Sequence, residues 1–235
     1  MVVVGMYFMI GGGMDVQNLS NITISDCEII SNYALISGGG ISARDYSVVS
    51  MQNVSVINNQ SPSMAGGLLF TDHCRASLSN ITIDNNIANT TGGGVAISIS
   101  AQVIIEDSRF ENNIASSKGG ALIVENDCSP LLRNLVFKNN TALSGAAVLL
   151  ADQSVPMFQY CHFVENIASI DGGAILSIDY SSAYLENCTF NANQVVFGNG
   201  GAVYVSDLSR ISVFNATFLY NSAERGTGLY FSFLF

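Results

Sequence analysis

The 235 residues carry 8 Lys plus Arg against 18 Asp plus Glu, a net charge of −10, and 49% of them are hydrophobic. That apolar content suffices for a continuous core and excludes a disordered chain. The acidity, with no basic stripe anywhere, excludes a nucleic-acid partner.

The chain opens on an apolar run, Met1–Met14 (MVVVGMYFMIGGGM). It is too short to span a bilayer and lacks the positive n-region and small-residue cleavage site of a signal peptide. No membrane span is expected, and the run reads as part of a repeating unit that occupies all of residues 1–235. That unit begins with alternating apolar positions such as Val49/Met51, Val103/Ile105 and Ala183/Leu185, the pattern of a strand with one buried face. A turn column follows: Asp26, Asn53, Asn80, Asp107, Asn134, Tyr160, Asn187 and Asn215. All but Tyr160 are residues that tolerate left-handed backbone.

Three residues later stand Ile29, Val56, Ile83, Phe110, Phe137, Phe163, Phe190 and Phe218, and three later again an Asn, from Asn32 to Asn221. These paired positions recur at intervals of 27, 27, 27, 27, 26, 27 and 28 residues. A small-residue pair then opens another apolar segment, from Gly12-Gly13 and Gly39-Gly40 through Gly119-Gly120, Gly145-Ala146 and Gly200-Gly201, also at 26–28 residues.

Separate motifs sharing one period through the chain define a solenoid. Three short strands per coil, no helix, and β-branched and aromatic residues throughout predict an all-β, right-handed parallel β-helix of eight or nine coils of 26–28 residues. At about 4.8 Å per strand spacing the rod is about 40 Å long. The Phe column should stack internally, and the Asn column should form an amide ladder at a bend.

The pairing of Phe110-Glu-Asn-Asn113 with Gly119-Gly-Ala-Leu122, of Phe163-Val-Glu-Asn166 with Gly172-Gly-Ala-Ile175, and of Phe190-Asn-Ala-Asn193 with Gly200-Gly-Ala-Val203 resembles the repeat of chlamydial polymorphic outer membrane proteins and related microbial surface proteins. The resemblance covers nearly the whole chain, although the first three coils carry Ile or Val for Phe. It implies a right-handed, pectin-lyase-like β-helix with a structural or adhesive role, extracellular or at the cell surface. Glycans, or a protein on a host or cell surface, are the partners it suggests.

Right-handed β-helices also include enzymes that bind or cleave acidic polysaccharides, the alternative to a non-catalytic rod. No short motif of the galacturonan hydrolases occurs. The densest charge cluster that stacking produces is Asp84, Glu106, Arg109, Glu111, Arg133 and Lys138, read chiefly as a surface salt-bridge ladder. A catalytic β-helix should carry long insertions that wall a cleft, whereas the period stays within 26–28. His73 and His162 fall in different columns without a third ligand, so no metal or other cofactor is expected.

Five cysteines are expected as buried thiols. Cys161 and Cys188 share a column in adjacent coils, where a bridge would need geometry rare between parallel neighbours. Of nine Asn-x-Ser/Thr sequons, Asn53, Asn80, Asn187 and Asn215 fall in the turn column as candidate glycosylation sites, whereas Asn59 belongs to the ladder. Val3 and Met6 stand where Phe and Asn would recur, and the chain stops at Phe235 shortly into a new strand. The expectation is a fragment of a longer solenoid, or an end covered by further coils, a cap or a partner.

Overall fold

The computed structural model describes residues 2–4 and 7–232. The expectations placed on Met6 and on Phe233–Phe235 lie outside these residues. Every strand pair is parallel, and the strands form three sheets of 14, 8 and 9 strands that wind as a β-solenoid of about 8 turns. One coil runs through Arg75–Asp84 in the first sheet, Ile87–Ala88 in the second and Val95–Ile97 in the third. Each residue pairs with its counterpart one coil away, as in Leu78↔Ile105, Ala88↔Ala115 and Val95↔Leu122.

The two segments read as separate strands on either side of the Asn/Asp column lie in one sheet. In three coils they are a single ten-residue strand: Asn21–Ile30, Val48–Ile57 and Arg75–Asp84. The turn column lies at its middle in left-handed backbone, with φ of 51° at Asp26, 55° at Asn53 and 53° at Asn80. One residue in that conformation adds a step to the alternation. Leu78 before Asn80 and Ile81 after it therefore both point inward, as a bulge allows.

The second sheet was not foreseen. Its strands are only two to five residues long, entered by Asn-Ile-Ala88, Asn-Ile-Ala115 and Asn-Ile-Ala168, with the Ala turned into the core. Between the third sheet and the next coil stands another unforeseen corner, a two-residue turn with both residues left-handed. Asp45 (55°) and Tyr46 (59°) are one example, closed by Ser47 N–H donating to the Arg44 carbonyl at 3.2 Å. That is a type I′ turn.

The glycine corner holds three small positions. The first is left-handed: Gly38 (71°), Gly92 (64°), Gly119 (65°) and Gly172 (66°), with Ala65 (58°) in the same column. The second passes beneath the neighbouring coil, so a Cβ on Gly39 would lie 2.1 Å from the Gly66 carbonyl oxygen. Gly92, not Gly93, stacks with Gly119. The Gly-Gly pairs read from the sequence slip one position between those coils, whereas the structural column keeps the 27-residue step of the Phe column.

Inside the rod the Phe rings stack at centroid separations of 4.7, 4.9, 4.6 and 4.8 Å from Phe110 to Phe218. Phe158, from the preceding strand column, meets Phe137 and Phe163 edge-on at 6.5 and 5.8 Å. The amide ladder forms as the repeat predicts. Asn113 Nδ2 donates to Asn140 Oδ1 (3.1 Å) and to the Ile83 carbonyl (2.9 Å), while its Oδ1 accepts from Asn86 N–H and Nδ2 (3.1 Å each). Both amide ends are thus fully used.

Candidate functional surfaces

The six charged residues of the candidate patch lie where their columns place them, on the outside of the first sheet. Asp84 stacks on Glu111 and Glu111 on Lys138, while Glu106 stacks on Arg133. Each is engaged by a neighbour. Arg133 Nη1 lies 3.1 Å from Glu106 Oε1, Arg109 Nη1 3.5 Å from Glu111 Oε1, and Lys138 Nζ 3.9 Å from Glu165 Oε2. Asp84 takes no cation: its two oxygens accept from the amides of Asn85 and Asn112, each at 2.8 Å. Exposed pairs of this kind contribute little stability, about 0–1 kcal/mol each.

The turn-column asparagines form a second, outer ladder. Asn80 Nδ2 donates to Asn53 Oδ1 (2.8 Å) and Asn53 Nδ2 to Asp26 Oδ1 (3.0 Å), while Asn215 Nδ2 donates to Asn187 Oδ1. Asn53, Asn80 and Asn215 are exposed and Asn187 is half-buried, whereas Asn59 is wholly buried in the inner ladder.

None of the five cysteines is in a disulfide. Burial pushes the Cys74 thiol up to about 12 and the Cys128 thiol to about 11, and holds Cys161 well above the ordinary thiol range. Thiols kept protonated in this way pack as small apolar side chains and supply no nucleophile. His73 stacks on Tyr46 (4.9 Å) at the type I′ corner, and His162, on a first-sheet strand, has its Nδ1 2.6 Å from Oγ1 of Thr189, its counterpart one coil on.

Two surface features were missed by sequence reasoning. Along the type I′ corner runs a shallow groove of about 690 Å³ between Ser100/Asp127 and Ser77/Ile104, with Arg75 and Gln102 along it. A smaller hollow of about 310 Å³, walled by Tyr46 and His73, shares Val48, Arg75 and Gln102 with it. Neither motif nor period signals this groove, because it is made by side chains from different columns of four coils.

The other feature is where the coils vary. The register slips between Ala142 and Ser144, opposite Ala168 and Asp171, at the exit from the second sheet. One coil further, Ala168 pairs with Val195 but Asp171 bridges Asn199, so the 28-residue coil places its extra residue within Val196–Gly198. The 26–28 spread is therefore confined to one edge of the rod.

These coils, their inner amide ladder and their constant register define a class, the parallel β-solenoids. The chain belongs to the right-handed β-helix family: the family model described as "Right handed beta helix region" matches residues 6–128 and again 67–232. The matches overlap because a constant period can be laid on the same coils in more than one phase. No curated protein and no solved structure matches the chain.

Proposed function

We propose that the chain is an extracellular or cell-surface structural and adhesive rod, of the kind implied by its likeness to polymorphic outer membrane protein repeats, and that it catalyses no reaction. One observation carries this reading. The densest charge cluster of the rod is tied up in its own ion pairs and amide contacts, and the coils around it carry no insertion that would wall a cleft. Candidate acids and bases so engaged, on the solvent-facing side of the first sheet, have no wall of inserted loops to exclude water from a reacting bond.

A surface location makes the exposed sequons at Asn53, Asn80 and Asn215, and the half-buried one at Asn187, candidate glycan carriers. Protease shaving of intact source cells, followed by detection of the chain in the supernatant, tests that location. Retention inside unlysed cells would sink it.

The groove beside Arg75 favours a second reading, carbohydrate binding without cleavage. Its elongated form along the rod, its serines and Gln102, and the Tyr46 and His73 rings at one end suit an extended sugar chain better than a compact ligand. A glycan array and a polysaccharide-cleavage screen on the full chain, repeated with Asp84→Ala/Glu111→Ala and with Arg75→Ala, separate the readings. The rod reading expects no cleavage by any form. Groove binding expects array signals lost in Arg75→Ala alone. Cleavage lost in the Asp84→Ala/Glu111→Ala double variant would overturn both.

A further inference from the structure

Five cysteines are spread through the rod, and the fold brings two of them together. Gln159 pairs with Glu186 and His162 with Thr189, so Cys161 lies directly beneath Cys188 in adjacent coils. Thr189 N–H donates to the Cys161 carbonyl at 2.9 Å and fixes that step. Tyr160 (φ 55°) and Asn187 (54°) stand just before the two cysteines in left-handed backbone, which turns both side chains inward, where they are wholly buried. Their thiols touch. The Cys161 thiol hydrogen-bonds to the Cys188 sulfur, and this contact draws the Cys188 thiol below its ordinary range. Cys188 Sγ also reaches the Phe158 carbonyl at 3.6 Å, in the coil that carries Cys161. The other three cysteines lie apart. Cys27 stacks under Val54, while Ala101 separates Cys74 from Cys128 by two strand spacings, about 9.6 Å and beyond the roughly 7 Å limit of a bridge.

We propose that Cys161 and Cys188 are a redox pair that closes into a disulfide between neighbouring coils. Stacked residues on parallel strands have Cα atoms about 4.8 Å apart, inside the range of roughly 4.4–6.8 Å that disulfides span. Cβ atoms at about the same spacing must approach by roughly half an ångström to reach the bridged range of about 3.5–4.5 Å. The column has room for that movement, because the residue above Cys188 is Ala216, small and half-buried. Closure is a thiol–disulfide exchange. One cysteine thiolate attacks glutathione disulfide and expels a glutathione thiolate; the other cysteine, having lost its proton, displaces the second glutathione from the mixed disulfide. Two cysteines are oxidised and one glutathione disulfide is reduced to two glutathiones. Both sulfurs are sealed inside the finished rod, so the exchange takes place as the chain folds, before the coils close over them. The bridge then spans the stretch where the register slips, at Ala168 and Asp171, and removes freedom from the unfolded chain. A secreted chain meets such an oxidant on its route, but any glutathione buffer serves, so the pair does not rest on a surface location.

The test is refolding of the full chain from urea in a glutathione redox buffer, with thiols then counted in denaturant and linked peptides mapped by mass spectrometry. The same count is expected for chain produced in the oxidising bacterial periplasm and trapped with an alkylating agent. Two of the five thiols should be lost, and the one linked pair should be Cys161–Cys188. The bridged chain should keep the far-UV spectrum of the reduced rod, and its urea midpoint should fall when dithiothreitol is added. Cys188→Ala, treated in the same way, should lose none of its thiols. Five free thiols after both treatments overturn the proposal. So does a link between other cysteines, or a Cys188→Ala chain that still loses two thiols. A bridged product that loses the β spectrum, or that unfolds at lower urea than its reduced form, overturns it as well.

Discussion

A buried amide is expensive in a protein core unless both of its ends are bonded, and the inner ladder meets that condition at each rung by using the same side chain one coil further on. Asn113 illustrates the coupling. Changing it to Ala strips partners from Asn86 N–H, Asn86 Nδ2, the Ile83 carbonyl and Asn140 Oδ1, all away from water. At roughly 1–3 kcal/mol for a stranded buried group, partly offset by relaxation, a loss of about 3 kcal/mol is expected. It should appear as a lower urea midpoint with an unchanged slope.

Tyr160 errs in the opposite direction, holding a φ of 55° in a column otherwise made of Asn and Asp. A left-handed residue with an ordinary side chain costs roughly 1–2 kcal/mol. Tyr160→Asn should therefore raise stability by about 1 kcal/mol in the same denaturation assay.

Glu125 gives a pH-dependent case. Burial, and then the charge of Asp152, raise its carboxyl above the ordinary value of 4.5. A raised acid is harder to ionise folded than unfolded, so the folded state carries a penalty above the folded pKa that vanishes as pH falls through it towards 4.5. Glu125→Gln should stabilise the rod at pH 7 and lose that advantage near pH 4, read from melting curves at the two pH values.

At the scale of strands and columns, the sequence was most readable where one distinctive residue repeats. Phe at one position and Asn three later survive any local noise, and both columns lie inside the rod as their spacing requires. What could not be read shares a physical reason. The second sheet offers as few as two residues per coil, too short for alternation to register, and its outward positions mix Tyr, Gln, Ile and Thr. The type I′ corner, by contrast, was marked and was missed: its first position is Asn18, Asp45, Asp72, Asn126, Asp152, Asp179 or Asp207, with Ile99 (48°) alone departing, while its second position varies freely. The Gly-Gly pair misled by one position because the corner holds three small residues, and a pair can be taken from either end.

Stacking put Glu106 beside Arg133 and Arg109 beside Glu111, where both ion pairs form, but it did not show what holds Asp84. Asn85 and Asn112 reach Asp84 through side-chain conformations that a column cannot show. Where the columns do dominate, they set the energetics. Phe163 lies between Phe137 and Phe190, at 4.9 and 4.6 Å, with Phe158 against its edge. Phe163→Ala leaves a cavity that rigid strands above and below cannot close, and should cost about 3–5 kcal/mol in calorimetry or chemical denaturation.

The whole molecule is quasi-one-dimensional: each coil bonds to the one beneath and the one above, with ladder, spine and corners all passing through the same step. Such a rod can lose one full period without losing any type of contact. Removing the 27 residues 81–107 joins Asn80 to Ser108, which has the register of Ile81 one coil on. Phe110 then stacks on Val56 as Ile83 did, Asn113 follows Asn59 in the ladder, and every later coil keeps its neighbour. The shortened chain should fold with an unchanged far-UV spectrum. Its denaturant slope should fall by about one eighth, since the slope scales with the surface exposed on unfolding.

Removing 13 residues instead, 81–93, would turn every later coil by half a revolution relative to those beneath. Phe110 would then fall over Phe70 in the third sheet and Gly119-Gly120 over Ser79-Asn80 in the middle of the first-sheet strand, and that chain should not fold. If the 27-residue deletion unfolds as well, the coils are not equivalent, and an interaction beyond nearest neighbours must hold the stack.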